Sequence, residues 1–360
     1  MNVFWDSYGI VRGPSGIFVH AMELKGALST KGVEASVLGS TNGQGPFNFF
    51  HKLGAKSKAL SPLFDFCEFS RHISANTSPA IYHGLSNTNL PLWTGSVPLE
   101  RVRFVLTVHD LIPLMVQPGW VSRASRMQMA ALLPRALARA DVVVCVSHWT
   151  KNTILERYCG IEKKIHVIPN GFPTQAPKAL SSEGPERAVI RVATVGRSEK
   201  YKRHDLFLQI LAAAKGRVFG TLVTSSLLDE AEKQLASQLL TKGWLQIIQG
   251  PTRAELENIY RQQDVYLQPS VLEGFCLPAA EAQASGVPVV YTKGSGIDEV
   301  VCPHTGTSLD ATSDASAWVA AIEMTSQRFS QDSQKLETWV ATRPSWNDAA
   351  IQLKTLYNSL

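Results

Sequence analysis

The chain predicts an α/β protein of two domains, each a parallel sheet covered by helices. Three observations carry this. The 360 residues exceed the ~100–200 usual for one domain. Both halves alternate short apolar, β-branched runs with amphipathic stretches, the pattern of strands joined through helices. A stretch rich in Pro, Ser and Gly, opening at the turn dipeptide Asn170-Gly171, lies between them.

In the first half the runs Asn2–Trp5, Ala35–Leu38, Ala80–His83, Phe104–Val108, Val142–Val146 and Ile165–Ile168 read as strands. Ile17–Thr30, Arg123–Ala138 and Thr150–Tyr158 read as helices. Pro134 is expected to kink or split the second, because it lacks an N–H and crowds the preceding turn. Ser147 is a suitable N-cap for the third. Residues 171–187 form the expected linker between a domain over 1–170 and another over 188–344. The second alternates strand and helix through 188–195, Asp205–Ala214, Val218–Val223, Asp229–Lys242, Leu245–Gln249, Arg253–Arg261 and Val265–Leu267. From Pro344-Ser345-Trp346 to Leu360 the chain reads as a capped helix.

Between these lies Ser270-Val271-Leu272-Glu273-Gly274-Phe275-Cys276-Leu277-Pro278-Ala279-Ala280-Glu281. Pro278 suits the first turn of a helix, since its φ is already helical and its missing N–H would be unpaired there. Gly286 and Pro288 end that helix, and Val287–Tyr291 reads as a buried strand. Glu273 is therefore expected in a loop and Glu281 in the first helical turn. The free N–H groups of a first turn attract an anion. Two carboxylates beside an anion site suit a ligand carrying both hydroxyls and phosphates, such as a nucleotide-sugar.

Composition excludes several classes. The apolar fraction is 44%, ordinary for a globular protein. No apolar run reaches the ~18 residues of a membrane span. Met1–Asp6 reads as a first strand rather than a signal peptide. Five scattered cysteines without a CxxC pair point to a reduced, cytoplasmic protein. Nine histidines form no HxH or HExxH pattern, and there is no DxD triplet. Chemistry without a metal or other cofactor is the expectation. Residues 1–170 carry 17 Lys and Arg against 10 Asp and Glu, and residues 171–360 carry 18 against 20. The basic first half suits an anionic partner, such as a phospholipid surface or a lipid-diphosphate acceptor, or is a solvated charged face. Arg123, Arg126, Arg135 and Arg139 among Met and Leu allow the same two readings: a helix riding peripherally on the inner face of a membrane, or a domain helix with a basic edge. No basic stripe with interleaved aromatics suggests nucleic acid.

The block Pro269-Ser270-x-x-Glu273-Gly274-Phe275-x-Leu277-Pro278-x-x-Glu281-Ala282-x-Ala284-x-Gly286-x-Pro288-Val289-Val290 resembles the signature of the family 4 retaining glycosyltransferases. The likeness extends to Thr107–Leu114, Ala140–Val144, Val146-Ser147, Ile168–Gly171, Val195-Gly196-Arg197 with Lys202, and the terminal Ser345-Trp346 helix. It implies the GT-B architecture: two Rossmann-like, doubly wound domains facing a central cleft, with the helix of about 345–360 returning to the first. It also implies roles. Arg197 and Lys202 would hold the donor diphosphate, with Lys200 and Arg203 as competing cations. Glu273 would contact hydroxyls of the transferred sugar, and Glu281 the ribose hydroxyls. Backbone N–H groups of Phe275, Cys276 and Leu277 would add phosphate or sugar contacts. His109 would face the donor sugar, or is a strand-end histidine bonded to backbone; Asp110 beside it could cap the next turn. Gly13, Ser15 and Gly16 form an acceptor or phosphate loop, or a plain strand-to-helix turn. Residues 294–300 resemble a loop near the donor. Cys276 departs from the family, which has Gly there.

The activity so implied is transfer of a sugar from a nucleotide-sugar to a saccharide or lipid-linked acceptor in bacterial polysaccharide or lipopolysaccharide assembly. The His-Asp-Leu-Ile-Pro form favours mannose from GDP-mannose over a UDP-sugar. A nucleotide-sugar epimerase of the same architecture and a non-catalytic sugar-binding protein are the competing readings.

Overall fold

The computed structural model describes residues 2–6, 10, 15–38, 61–75, 78–91, 99–173 and 189–360. Gly13 and most of the expected linker lie outside the described residues. The chain divides into two compact units, one of residues 1–115, 122–171 and 344–360, the other of residues 116–121 and 172–343.

The first unit is built on six parallel strands, β1 (Asn2–Trp5), β2 (Ala35–Val37), β3 (Ala80–Gly84), β4 (Val102–Val108), β5 (Val142–Cys145) and β6 (Ile165–Val167), in the order β2-β1-β3-β4-β5-β6. All neighbours are parallel, Val105 opposite Val142 and Val3 opposite Ile81. Every residue of β3 and β5 is buried. A strand covered on both faces has no solvent side, which explains unbroken runs such as Val142-Val143-Val144.

Helices α1 (Gly16–Ser29), α2 (Ser61–Ala75), α3 (Ile112–Met115), α4 (Arg123–Arg139) and α5 (His148–Leu155) join these strands. Ser147 caps α5 by accepting from Thr150 N, so this helix starts two residues earlier than expected and ends at Leu155 rather than Tyr158. Pro134 lies inside an unbroken α4, so the expected split does not occur. The basic edge of α4 is also divided. Arg139 turns inward, its guanidinium 4.3 Å from the Phe104 ring centre, while Arg123 and Arg135 stay exposed. Such a cation–π contact withdraws one of the four arginines from any surface role.

The second unit holds β7 (Ile190–Val195), α6 (His204–Ala214), β8 (Val218–Val223), α7 (Glu230–Thr241), β9 (Leu245–Ile248), α8 (Arg253–Arg261), β10 (Val265–Gln268), α9 (Leu277–Ala284), β11 (Val289–Thr292), β12 (Thr307–Leu309) and α10 (Ala315–Ala341). Its strand order, β12-β11-β10-β7-β8-β9, is the doubly wound dinucleotide-fold order. Phe207, Leu211, Leu222, Val265, Trp318 and Ile322 form its core. Asp229 and Thr252 open α7 and α8 with reciprocal capping boxes to Glu232 and Glu255.

The last helix, α11 (Trp346–Asn358), belongs to the first unit and packs on α1. Gly171 makes this possible: a Cβ there would lie 2.5 Å from Trp346 Cα. Trp5 Nε1 donates to the Tyr357 hydroxyl at 3.1 Å, and that hydroxyl shares a second hydrogen bond with His83 Nδ1 at 2.6 Å. His83 Nε2 shares a hydrogen bond with Thr107 Oγ1 at 2.8 Å.

Candidate active site

In the second unit β7 and β10 are sheet neighbours whose other partners lie on opposite sides, the point where ligands of such folds bind, just beyond the strand ends. Gly196-Arg197 follows β7 and Ser270–Glu273 follows β10. Their side chains meet: Lys202 Nζ lies 2.7 Å from Glu273 Oε1. Of the three lysines and arginines at positions 200–203, the fold selects Lys202. Lys200 is exposed and Arg203 turns to Asp205 at 3.1 Å. Burial by itself lowers the Lys202 pKa, but Glu273, Tyr201 and Cys276 outweigh it and the ammonium ends above its ordinary value. Lys202 therefore stays charged. Arg197 does not join them. Its side chain, 59% exposed, pairs with Glu199 at 2.9 Å.

Glu273 is held as firmly by its backbone as by its carboxylate. Its N–H donates to Ser295 Oγ at 3.1 Å and its carbonyl accepts from Gly296 N at 2.8 Å. A Cβ on Gly296 would lie 2.6 Å from the Gly274 carbonyl carbon, so only glycine lets the two loops approach. The 294–300 loop thus supports Glu273 from behind. Its Ser295 and Asp298 close a capping box, and Glu299 ends the 3₁₀ turn Gly296–Glu299.

Cys276 takes the N-cap position of α9 with φ 80° and ψ 72° and makes no side-chain cap. This is left-handed backbone, which explains why the family favours glycine here; a side chain at such a position costs about 1–3 kcal/mol. Burial, then Glu273, pushes the thiol pKa well up, so Cys276 stays protonated and is no nucleophile. Pro278 is the second residue of α9, as expected, but Glu281 is the fifth. The helix starts at Leu277, which moves Glu281 out of the first turn. Its oxygens are occupied, Oε1 by Arg253 Nη1 at 2.6 Å and Oε2 by the Tyr260 hydroxyl at 3.0 Å. These groups, with Pro173, Leu256 and Ser285, line a recess too tight to admit a water molecule. Phe275 packs edge-on against Phe172, ring centres 6.4 Å apart.

Arg253, Tyr260 and Gln268 are absent from the expected site residues, whereas Ser295 lies in the 294–300 loop expected near the donor. Gln268 had a readable signal: a polar residue ending the buried strand Val265-Tyr266-Leu267-Gln268. Arg253 and Tyr260 had none, because only folding brings α8 onto α9.

In the first unit Ser15 caps α1, its Oγ accepting from Phe18 N at 3.2 Å, and Gly16 starts the helix with open space where a Cβ would be. Asp110 caps the next turn through Ile112 N at 2.9 Å. His109 follows β4. Its Nε2 donates to Leu85 O at 2.8 Å, which leaves Nδ1 as the acceptor. The ring packs edge-on against His20, centres 4.9 Å apart. His20 Nδ1 in turn bonds Asn170 Oδ1 at 2.7 Å.

Burial lowers His109 to about 4 and, with the neighbouring histidines, His20 and His83 to about 3. All three are neutral near pH 7. Below the unfolded value near 6.5 the unfolded chain takes up protons that the folded unit refuses, so stability falls with pH. Each histidine removes about 1.4 kcal/mol per pH unit between pH ~6 and ~4. Melting temperature measured from pH 7 to 4.5 should drop steeply in the first unit, and a flat profile would contradict the buried neutral assignment.

Among the described residues no three His, Cys, Asp or Glu side chains cluster as metal ligands. Nor is any helix among them long and apolar enough to cross a membrane.

The profile described as Glycosyltransferase Family 4 matches residues 14–176, and that described as Glycosyl transferases group 1 matches residues 180–335. The chain belongs to the family 4 glycosyltransferases. This glycosyltransferase is 27% identical over 346 residues to the D-inositol 3-phosphate glycosyltransferase of Corynebacterium glutamicum, covering 79% of this chain and 81% of that one. Against the enzyme of that name from Corynebacterium urealyticum it is 35% identical over 133 residues, 36% of this chain and only 31% of the relative. Identity to the MMP alpha-(1->4)-mannosyltransferase of Mycolicibacterium hassiacum is 27% over 169 residues, 47% of this chain and 41% of that one. Among solved structures, Anabaena HepE in complex with UDP-glucose superposes with a TM-score of 0.72 at 17% identity over 99% of both chains. At that identity the likeness shows the GT-B fold alone.

Proposed function

We propose that this glycosyltransferase moves a hexose from a nucleoside diphosphate sugar to a saccharide or lipid-linked acceptor with retention of anomeric configuration and without a metal. GDP-mannose is the favoured donor and a UDP-sugar the alternative. The setting is bacterial surface polysaccharide or lipopolysaccharide assembly, in the cytoplasm or at the inner face of its membrane. The observation that carries this reading is the Lys202–Glu273 pair at the β7–β10 strand ends.

The chemistry asks three things of the site. The bond from the anomeric carbon to the diphosphate oxygen breaks, so negative charge grows on the diphosphate. Lys202, Arg197 and the backbone N–H groups at the start of α9 answer that charge. Positive charge grows on the sugar ring, and Glu273 faces it. The acceptor oxygen then bonds to the anomeric carbon on the face that the diphosphate leaves, and its proton passes to the departing phosphate oxygen. No protein nucleophile is needed. Glu281 receives the ribose diol, with Arg253 yielding one carboxylate oxygen. His109, neutral and with Nδ1 free to accept, orients a sugar hydroxyl. The relatives named as a D-inositol 3-phosphate glycosyltransferase and an MMP mannosyltransferase support a polar, hydroxylated acceptor and a mannose donor.

Thermal unfolding with GDP, UDP, ADP and their sugar conjugates, with and without chelator, tests this. A ligand of the folded state at about 100 times its Kd adds about 3 kcal/mol, several degrees of melting temperature. One nucleotide should produce that shift and chelator should not reduce it. No shift with any of them defeats the reading, and a product formed from donor alone would make the protein an epimerase.

A further inference from the structure

Glu273 receives a second grip, from Gln268. This residue ends β10, is 2% exposed, and its side chain bonds Tyr266, Ser270 and Glu273. Its Nε2 donates to Glu273 Oε1 at 2.8 Å and to Ser270 Oγ at 2.6 Å. Its Oε1 accepts from the Tyr266 hydroxyl at 2.6 Å. That hydroxyl also accepts from Val195 N at 3.4 Å, at the end of β7, so its proton is committed to Gln268. The Glu273 carboxylate can only accept, so the amide has one orientation, NH₂ toward Glu273 and carbonyl toward the Tyr266 hydroxyl.

Two donors, Lys202 and Gln268, converge on the same oxygen, Glu273 Oε1. Oε2 receives no hydrogen bond among the described residues and is not sealed from solvent. A carboxylate pinned at one oxygen cannot rotate, and its other oxygen points one way. We propose that Gln268 is a positioning residue for sugar transfer: it fixes Glu273 through Oε1 so that Oε2 alone accepts a hydroxyl of the transferred sugar. The proposal rests on the donor-site reading above and extends it by one residue and one oxygen. A side chain serving only to pack the end of a buried strand would need no amide.

The test replaces Gln268 by Met, which keeps length and volume and removes the amide. Donor turnover is followed as release of nucleoside diphosphate from the sugar nucleotide selected above, and nucleoside diphosphate binding by calorimetry. Misplacing one reacting group costs about 10- to 100-fold, and Gln268→Met should lose that much in kcat/KM for the donor. Affinity for the nucleoside diphosphate, which lacks the sugar, should change less than about threefold. In a Glu273→Gln background the same replacement should cost little more, because two residues acting through one carboxylate are not additive. Tyr266→Phe removes the hydroxyl that orients the amide; it should show a smaller loss with the same dependence on Glu273, and serves if Gln268→Met does not fold. Full turnover in Gln268→Met, or an equal loss with and without Glu273, overturns the proposal. If the unmodified protein binds no nucleoside diphosphate, the donor-site reading falls first and this falls with it.

Discussion

Glu273→Gln lowers kcat by about two to three orders of magnitude, the loss typical when a group aimed at developing charge is removed. The replacement keeps the shape and the Gln268 and Ser295 contacts but removes the negative charge that the proposed mechanism sets against the sugar. It also leaves Lys202 without its anion. That ammonium is 18% exposed and the carboxylate 8%, so the stability cost is real but below the 3–5 kcal/mol of a fully buried broken pair. Melting should fall by several degrees, which by itself could mimic lost activity. Adding Lys202→Met removes the unpaired charge and, with it, the stability cost. The double variant regains the stability, since no unpaired charge remains, and stays inactive. Turnover that recovers together with the melting temperature would show that Glu273 matters to the fold alone.

Removing residues 344–360 unfolds the first unit and spares the second. Trp346, Leu353, Leu356 and Tyr357 of α11 are buried in the first unit, each worth about 1.5–3 kcal/mol. Their sum rivals the 5–15 kcal/mol that holds a whole protein folded. The deletion also strands Trp5 Nε1 and His83 in the core without Tyr357. Gly171→Ala should act in the same direction through one methyl group, because that methyl meets the Trp346 backbone rather than a side chain able to turn away. Limited proteolysis would degrade residues 1–171 of the truncated chain while a fragment from 189 onward persists. Equal protection of both units would show that α11 is an accessory helix.

The fold was legible because periodicity and punctuation agree. β-branched runs end at turn residues, Ser147 and Asp229 stand where helices open, and Gly286 closes α9 at φ 77°. The helix α10 is missing from the expectations although its signals were present: Asp314 caps it and Trp318 and Ile322 repeat at helical spacing. At the site, Glu273 and Lys202 were readable as residue types, 71 positions apart. What no sequence reading could supply is which oxygen each donor takes. Arg253 on Glu281 and Gln268 on Glu273 depend on how α8 and β10 lie against their neighbours. The left-handed Cys276 shows the reverse case, where the substituted glycine was visible in sequence and only the backbone gave it a cause.

The return of α11 to the first unit has a consequence for biosynthesis. A ribosome makes β1 to β6 first, yet the slot beside Trp5 and His83 waits for residues 344–360. At ~5–20 residues per second that wait is roughly 10–40 s. The second unit, nearly continuous in sequence, is complete before the first can close. Nascent chains stalled before position 344 should therefore present an open apolar groove to trigger factor-like chaperones, and release of the last helix should end that exposure.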